Sequence, residues 1–359
     1  MKNIVHKGLF LFGLLLLLGS CSEELSRQLA PRTMAFGKAN QVVVVADQDM
    51  WESAVGDTFR YYFASAYPIL PQPEPIFDLK HFTPQQLEED HIRKELRNYV
   101  LLADLDQPES MATQLVVKDI GNENAMQAGN KDGRRTRVGR DKWAKGQLLI
   151  YLFARGRDEL VDNIKSSFPG AAKRIRKADL VQIEATVYQG GENYKLKDEI
   201  RQSFGVEIDI PSEYFLAVND GKVAWLRKET EFLSSNIVIY KLPYTSPEQL
   251  SKKGIKRIRD SIGLNYVSSE TDNTYMRTND VDLPMFVQQI ELKDYYVLEG
   301  RGIWEIVNDY MGGPFVSYLI HKPNSNELVF VDGFVHAPGK RKRQYMQNLE
   351  LILSSISIP

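Results

Sequence analysis

Two pairs of carboxylates have the residue types and spacing to do chemistry. Asp47-Gln48-Asp49 follows the apolar run VVVVA, and Asp104-Leu105-Asp106 follows YVLLA. If those runs are neighbouring parallel strands, four acids gather at the C-terminal edge of a sheet, where open α/β sheets bind ligands. Oxygen donors of this kind suit Mg²⁺ or Ca²⁺. An ion held there could activate water for a hydrolytic reaction. The same acids have a second use. An Asp just after a strand can cap a following helix, and its charge suits the helix N-terminus.

Other catalytic arrangements lack their motifs. Beyond the N-terminal segment the histidines are His81, His91, His321 and His336, with no H-E-x-x-H spacing. Structural or surface roles suit them. There is no G-x-S-x-G, and Cys21 is the only cysteine, so the usual nucleophile patterns are missing. Neither a phosphate-binding G-x-x-x-x-G-K-[ST] nor a strand-linked G-x-G-x-x-G is present. No cofactor is expected.

Two clusters of cations offer binding rather than catalysis. Lys131, Arg134, Arg135, Arg137, Arg140, Lys142 and Lys145 lie close together, opposed only by Asp132 and Asp141. Beside anionic lipid each such cation contributes ~1 kcal/mol, so the stretch could meet lipid phosphates or an acidic partner. The alternative is a solvated loop. Lys340-Arg341-Lys342-Arg343 opens the last helical pattern. Cations at a helix N-terminus oppose the macrodipole by a few tenths of ~1 kcal/mol, a small penalty that docking to an acidic surface would offset.

Cys21 carries a different chemistry. Lys2 and Lys7 form a positive start, and Leu9–Leu18 is an apolar run broken only by Gly13. That run is too short to span a bilayer, which takes about 20 residues, but it suits an export signal over 1–20. Leu18-Gly19-Ser20-Cys21 follows directly and resembles the lipobox of bacterial lipoproteins. The resemblance implies that the Cys21 thiol carries diacylglycerol. Acylation would remove the one free thiol of an exported chain, and two or three acyl chains anchor almost permanently. Ser22-Glu23-Glu24 resembles the surface-export signals of Bacteroidota lipoproteins, and also reads as a plain solvated tether. The net charge of −2, made more negative by loss of Lys2 and Lys7, and the envelope address both argue against nucleic-acid binding.

The elements that must position these residues read as follows. Residues 21–38 form a lipidated flexible tether. Gln41–Ala46, Tyr99–Ala103 and Gln147–Ala154 are short apolar runs of buried strands. Between them, Trp51, Val55, Phe59, Tyr62 and Ala66 mark a helix. Pro68, Pro71, Pro73 and Pro75 then force an extended passage. Thr83-Pro84 opens a second helix through Leu87, His91 and Leu96. Helical patterns cover 108–118, 157–168 and 170–204, the last interrupted at Gly190-Gly191, a natural boundary. Residues 121–146, rich in Gly and Asn, read as a mobile surface excursion. Strand–helix alternation over 39–190 therefore predicts an α/β layer on a mixed sheet.

The second half, 191–359, has another character. Val206–Ile210 alternates like a half-exposed strand. Further strands are predicted at Tyr214–Val218, Val223–Arg227, Ile237–Leu242, Phe286–Leu292, Tyr295–Glu299, Ile303–Val307, Val316–His321 and Leu328–Val335. Pro323-Asn324-Ser325-Asn326 joins the last two as a turn. Helices are expected over 246–261 and from Lys340 to Ile356. The whole chain thus reads as α+β, an α/β layer followed by an antiparallel sheet domain with packed helices.

GKANQVVVVADQDMW (37–51), LPQPEPIFDL (70–79), DKWAKGQ (141–147) and VDGFVHAPGKRKRQYMQNLELIL (331–353) together resemble an uncharacterised lipoprotein family of Bacteroidota, a domain of unknown function. FGVEIDIPSEYFLAV (204–218), with the helix after VDGFVHAPG, is similar to PsbP/Mog1-like α/β sandwiches, which implies an adaptor or assembly role. The expectation is a non-enzymatic binding or assembly module, held at the outer membrane by its lipid and facing a protein partner. A metal-assisted hydrolase using Asp47, Asp49, Asp104 and Asp106 is the alternative.

Overall fold

The computed structural model describes residues 32–128, 130, 135–322 and 325–359. Cys21, the export signal, Lys131, Arg134 and the Pro323-Asn324 pair lie outside the described residues. The described residues form two compact units, 32–58 with 79–167 and 59–78 with 168–359.

The elements of the first half are, in order, β1 (Gln41–Val45), α1 (Gln48–Trp51), α2 (Ala54–Phe63), β2 (Asp78–Phe82), α3 (Pro84–Glu89), β3 (Asn98–Asp104), α4 (Met111–Ile120), α5 (Asn122–Gln127), β4 (Thr136–Arg140), β5 (Leu148–Ala154) and α6 (Arg157–Val187). The five strands make one mixed sheet in the order β2-β1-β3-β5-β4. β1, β3 and β5 are parallel, and β4 is antiparallel to β5. Every residue of β3 and β5 is buried, which is why their sequences run apolar without alternation. One sheet face packs Val43, Val45, Leu101 and Phe153 against Val116 and Ile120 of α4.

Two expectations change here. Residues 121–146 are not a bare excursion, because they hold α5 and the edge strand β4. Gly139 belongs to that pairing: a Cβ there would lie 3.2 Å from the Tyr151 ring on β5. Helix α6 also runs on through Pro169, joining the patterns at 157–168 and 170–204 that were read separately. Proline removes only one backbone bond, and the turns on either side carry the helix.

The second half continues with α7 (Tyr194–Phe204), β6 (Phe215–Asn219), β7 (Val223–Thr230), β8 (Leu233–Pro243), α8 (Lys252–Tyr266), β9 (Tyr275–Asn279), β10 (Phe286–Leu292), β11 (Tyr295–Val307), β12 (Gly312–His321), β13 (Glu327–His336) and α9 (Arg343–Ser354). An eight-stranded sheet runs β10-β11-β12-β13-β8-β7-β6, with β9 also pairing β11, and every pairing is antiparallel. α9 lies on β12 and β13, and α8 on β9. The fold is therefore α+β, a mixed sheet followed by an antiparallel sheet with helices packed on it.

β11 is one strand of 13 residues where two were expected. Gly300 and Gly302 do not punctuate it. They admit Met285 and the Phe315 ring, which added Cβ atoms would meet at 2.8 and 2.7 Å. Conversely, residues 206–210 form no strand. Val206, Ile208 and Ile210 are buried as their alternation implies, but the segment makes only the isolated bridge Glu207–Ser357.

Candidate functional site

The parallel pairing brings the ends of β1, β3 and β5 to one edge of the first unit's sheet. Asp47 lies just past β1, Asp104 ends β3 and Arg155 follows β5. There the carboxylates turn to separate partners. Asp47 accepts the Ser110 hydroxyl and, at 3.3 Å, the backbone N–H of Ala112. Ser110 caps α4 by accepting the N–H of Thr113 at 3.1 Å. Asp47 thus helps cap α4, and makes no side-chain bond to its own helix α1.

Asp104, buried, accepts the N–H of Asp106 at 3.1 Å and that of Gly156 at 2.8 Å. Gly156 has φ +81°, and its N–H reaches Asp104 from that left-handed conformation. Asp106 pairs with Arg155 at 3.1 Å, and Asp49 pairs with Arg157. Among the described residues, no three His, Cys, Asp or Glu side chains are grouped to hold a metal ion. The four acids share an edge without converging.

Beside them lies an open groove of about 410 Å³. Leu105 and Pro108, just after β3, form its floor with Val117 of α4 and Ala125 and Met126 of α5. Lys118 and Arg155 also line it. No sequence motif marks this groove. The available signal was Val117, an apolar residue off the stripe by which Ala112, Val116 and Ile120 bury α4.

The cation clusters are largely engaged within the chain. Arg135 pairs with Glu159 at 3.1 Å and donates to the Ala128 carbonyl. Arg137 donates to Asn124, Lys142 pairs with Asp119, and Arg140 is exposed. The run at 340–343 meets acids from residues 74–78. Glu74, itself buried, accepts the backbone N–H groups of Lys342 and Arg343 and so caps α9. Arg341 and Arg343 both pair with Asp78. Burial raises the Asp78 pKa, but these guanidinium groups outweigh it and hold the carboxyl below its ordinary value. Burial pushes the Lys342 ammonium down, against the pull of Glu74. Lys340 sits 4.1 Å from the Phe232 ring centre. Three of the four cations of this run thus meet acids of their own chain.

Two buried ionic clusters of the second unit were not anticipated. Arg259 of α8 pairs with Asp332 of β13 at 3.1 Å, both almost fully enclosed. The Ser317 hydroxyl donates to Asp332 at 2.6 Å, and the guanidinium lies 3.8 Å from the Phe315 ring centre. Arg301 grips Glu299 through bonds of 2.7 and 2.9 Å, and pairs with Glu350, which also accepts the Tyr67 hydroxyl. Burial and the Glu350 charge push the Tyr67 pKa well above its ordinary value. The histidines make local contacts. His81 stacks on Trp51 and lies 2.9 Å from the Ala46 carbonyl, while His321 and His336 lie near the carbonyls of Ser325 and Gly312.

With this geometry in place, known proteins add the following. Residues 35–187 match the family described as Domain of unknown function (DUF8532). Residues 193–355 match Domain of unknown function (DUF4837). Together the two matches cover most of the chain. No curated protein matches it. The Saccharomyces cerevisiae Ran-binding protein Mog1p is similar at 10% identity, over 43% of this chain and 90% of that one, with a TM-score of 0.28. A Bacteroides thetaiotaomicron structure is similar at 10% identity over 44% of this chain and 46% of that one, TM-score 0.25. The human StarD13 (DLC2) lipid transfer and protein localization domain reaches a TM-score of 0.20 at 10% identity, over 45% of this chain and 90% of that one. The expected Mog1 likeness is present but slight, and at these scores none of the three carries an argument about function.

Proposed function

We propose that this chain is a lipoprotein of the Bacteroidota cell envelope, held at the outer membrane through Cys21, that binds a partner rather than catalysing a reaction. One observation carries the choice between binding and catalysis. The four carboxylates best placed for a metal-assisted reaction are taken up in capping α4, bonding the Gly156 N–H and pairing with Arg155 and Arg157. A catalytic metal needs several of them turned to one point, with a position open for water. Anchoring rests on the Leu18–Cys21 motif. No helix among the described residues is long and apolar enough to cross a membrane.

One experiment tests both parts. Wild type is purified from membranes and Cys21→Ala from the soluble fraction, and each is melted with and without millimolar Ca²⁺ or Mg²⁺. The expected result is that Cys21→Ala leaves the membrane fraction and neither form gains melting temperature with metal. A Cys21→Ala protein that stays with membranes overturns the anchor. A metal-dependent gain that Asp104→Asn abolishes overturns the binding module in favour of the hydrolase.

A further inference from the structure

The groove beside α4 and α5 has features that the binding reading alone does not explain. Its volume, about 410 Å³, falls within the ~300–1,000 Å³ of small-molecule sites. It opens beside the C-terminal ends of parallel strands, the usual ligand edge of such sheets. Its apolar side chains are Leu105, Pro108, Val117, Ala125 and Met126. Met126 is 70% exposed, and its unbranched thioether can adapt to an apolar chain.

The charge of the lining decides the class of ligand. Among the described residues two cations, Lys118 and Arg155, line the groove, and no acid does. Lys118 is exposed and has no ion-pair partner among the described residues. Among the described residues Arg155 is tied only to Asp106, in a pair whose two side chains are 46% and 52% exposed. Such surface pairs are weak, so the guanidinium can turn to another anion.

Resting on the binding-module reading, we infer that this groove takes a single-chain amphiphile of the fatty-acid kind. The apolar chain lies along Leu105, Val117, Ala125 and Met126, and the carboxylate faces Lys118 and Arg155. A neutral apolar ligand would leave both cations unused, and a small hydrophilic anion would leave the floor uncovered.

The test titrates the full chain with decanoate, decanol and acetate by calorimetry, below micelle formation. Decanoate is expected to saturate at one per chain, decanol to bind about tenfold more weakly, and acetate not at all. Lys118→Glu, a surface change, is expected to weaken decanoate at least tenfold and leave decanol unchanged. Ala125→Trp, which fills the groove, is expected to abolish both. Absence of saturable decanoate binding to the wild type overturns the inference. So does equal binding of decanoate and decanol with no effect of Lys118→Glu. An envelope protein captured by a chain that ignores decanoate sinks this inference and leaves the module. The Asp104-dependent gain of melting temperature with Ca²⁺ or Mg²⁺ sinks the module itself.

Discussion

Both units carry exposed ion pairs, but among the described residues only the second also encloses one almost completely. In the first, ionic pairs sit at the sheet rim: Asp49 with Arg157 and Asp106 with Arg155 are roughly one-third to two-thirds exposed. In the second, Arg259 and Asp332 are enclosed on every side, and Arg301 with Glu299 is nearly so. Water solvates the rim pairs whether or not they meet, so each is worth little. The enclosed pairs have lost that water, so removing one partner strands the other. The contrast separates a surface whose side chains are free to meet a ligand from an interior whose charges fix the packing of helix on sheet.

The largest expected effect breaks the second region. Asp332→Ala leaves the Arg259 guanidinium buried without its carboxylate and is expected to cost ~3–5 kcal/mol in urea unfolding. The double change Arg259→Met with Asp332→Leu is expected to restore most of that loss. If the single change is mild, the enclosed pair is not a structural tie. Next, Glu74→Ala removes the acceptor that caps α9 and is expected to cost about 1–2 kcal/mol by the same measurement. Smallest, Arg157→Ala in the first region is expected to shift stability by less than ~1 kcal/mol. A loss as large as that of Asp332→Ala would erase the contrast between the units.

Much of the fold was legible because burial writes itself into residue type. The runs at 42–46, 99–103 and 147–154 read as buried strands, and their common edge followed from that. What misled was punctuation. Gly300 and Gly302 look like breaks, yet they exist for the Met285 and Phe315 side chains that press on β11. The edge acids were legible as a set, but their partners were not, because Ser110, Gly156 and Arg157 are distant in sequence or carry no motif. Arg259 was readable and passed over. It stands between Ile255 and Ile262 at helical spacing, on the stripe by which α8 buries itself. Asp332, one charge amid the buried run of β13, was its counterpart. The groove had no such trace, since it is shaped by the turn from α4 into α5 rather than by any residue pattern.

Glu74 has a consequence for how the polypeptide is made. Its carboxylate oxygens wait for the N–H groups of Lys342 and Arg343, 268 and 269 residues further along. During synthesis the ribosome must carry the chain 268 residues beyond Glu74 before this bond can close. Residues 59–78 emerge early, yet they belong to the unit that is finished last. Until then Tyr67 and Glu74 are nascent-chain side chains without their final neighbours. A fragment cut to residues 193–355 alone would be born without them, and its closing helix would begin uncapped.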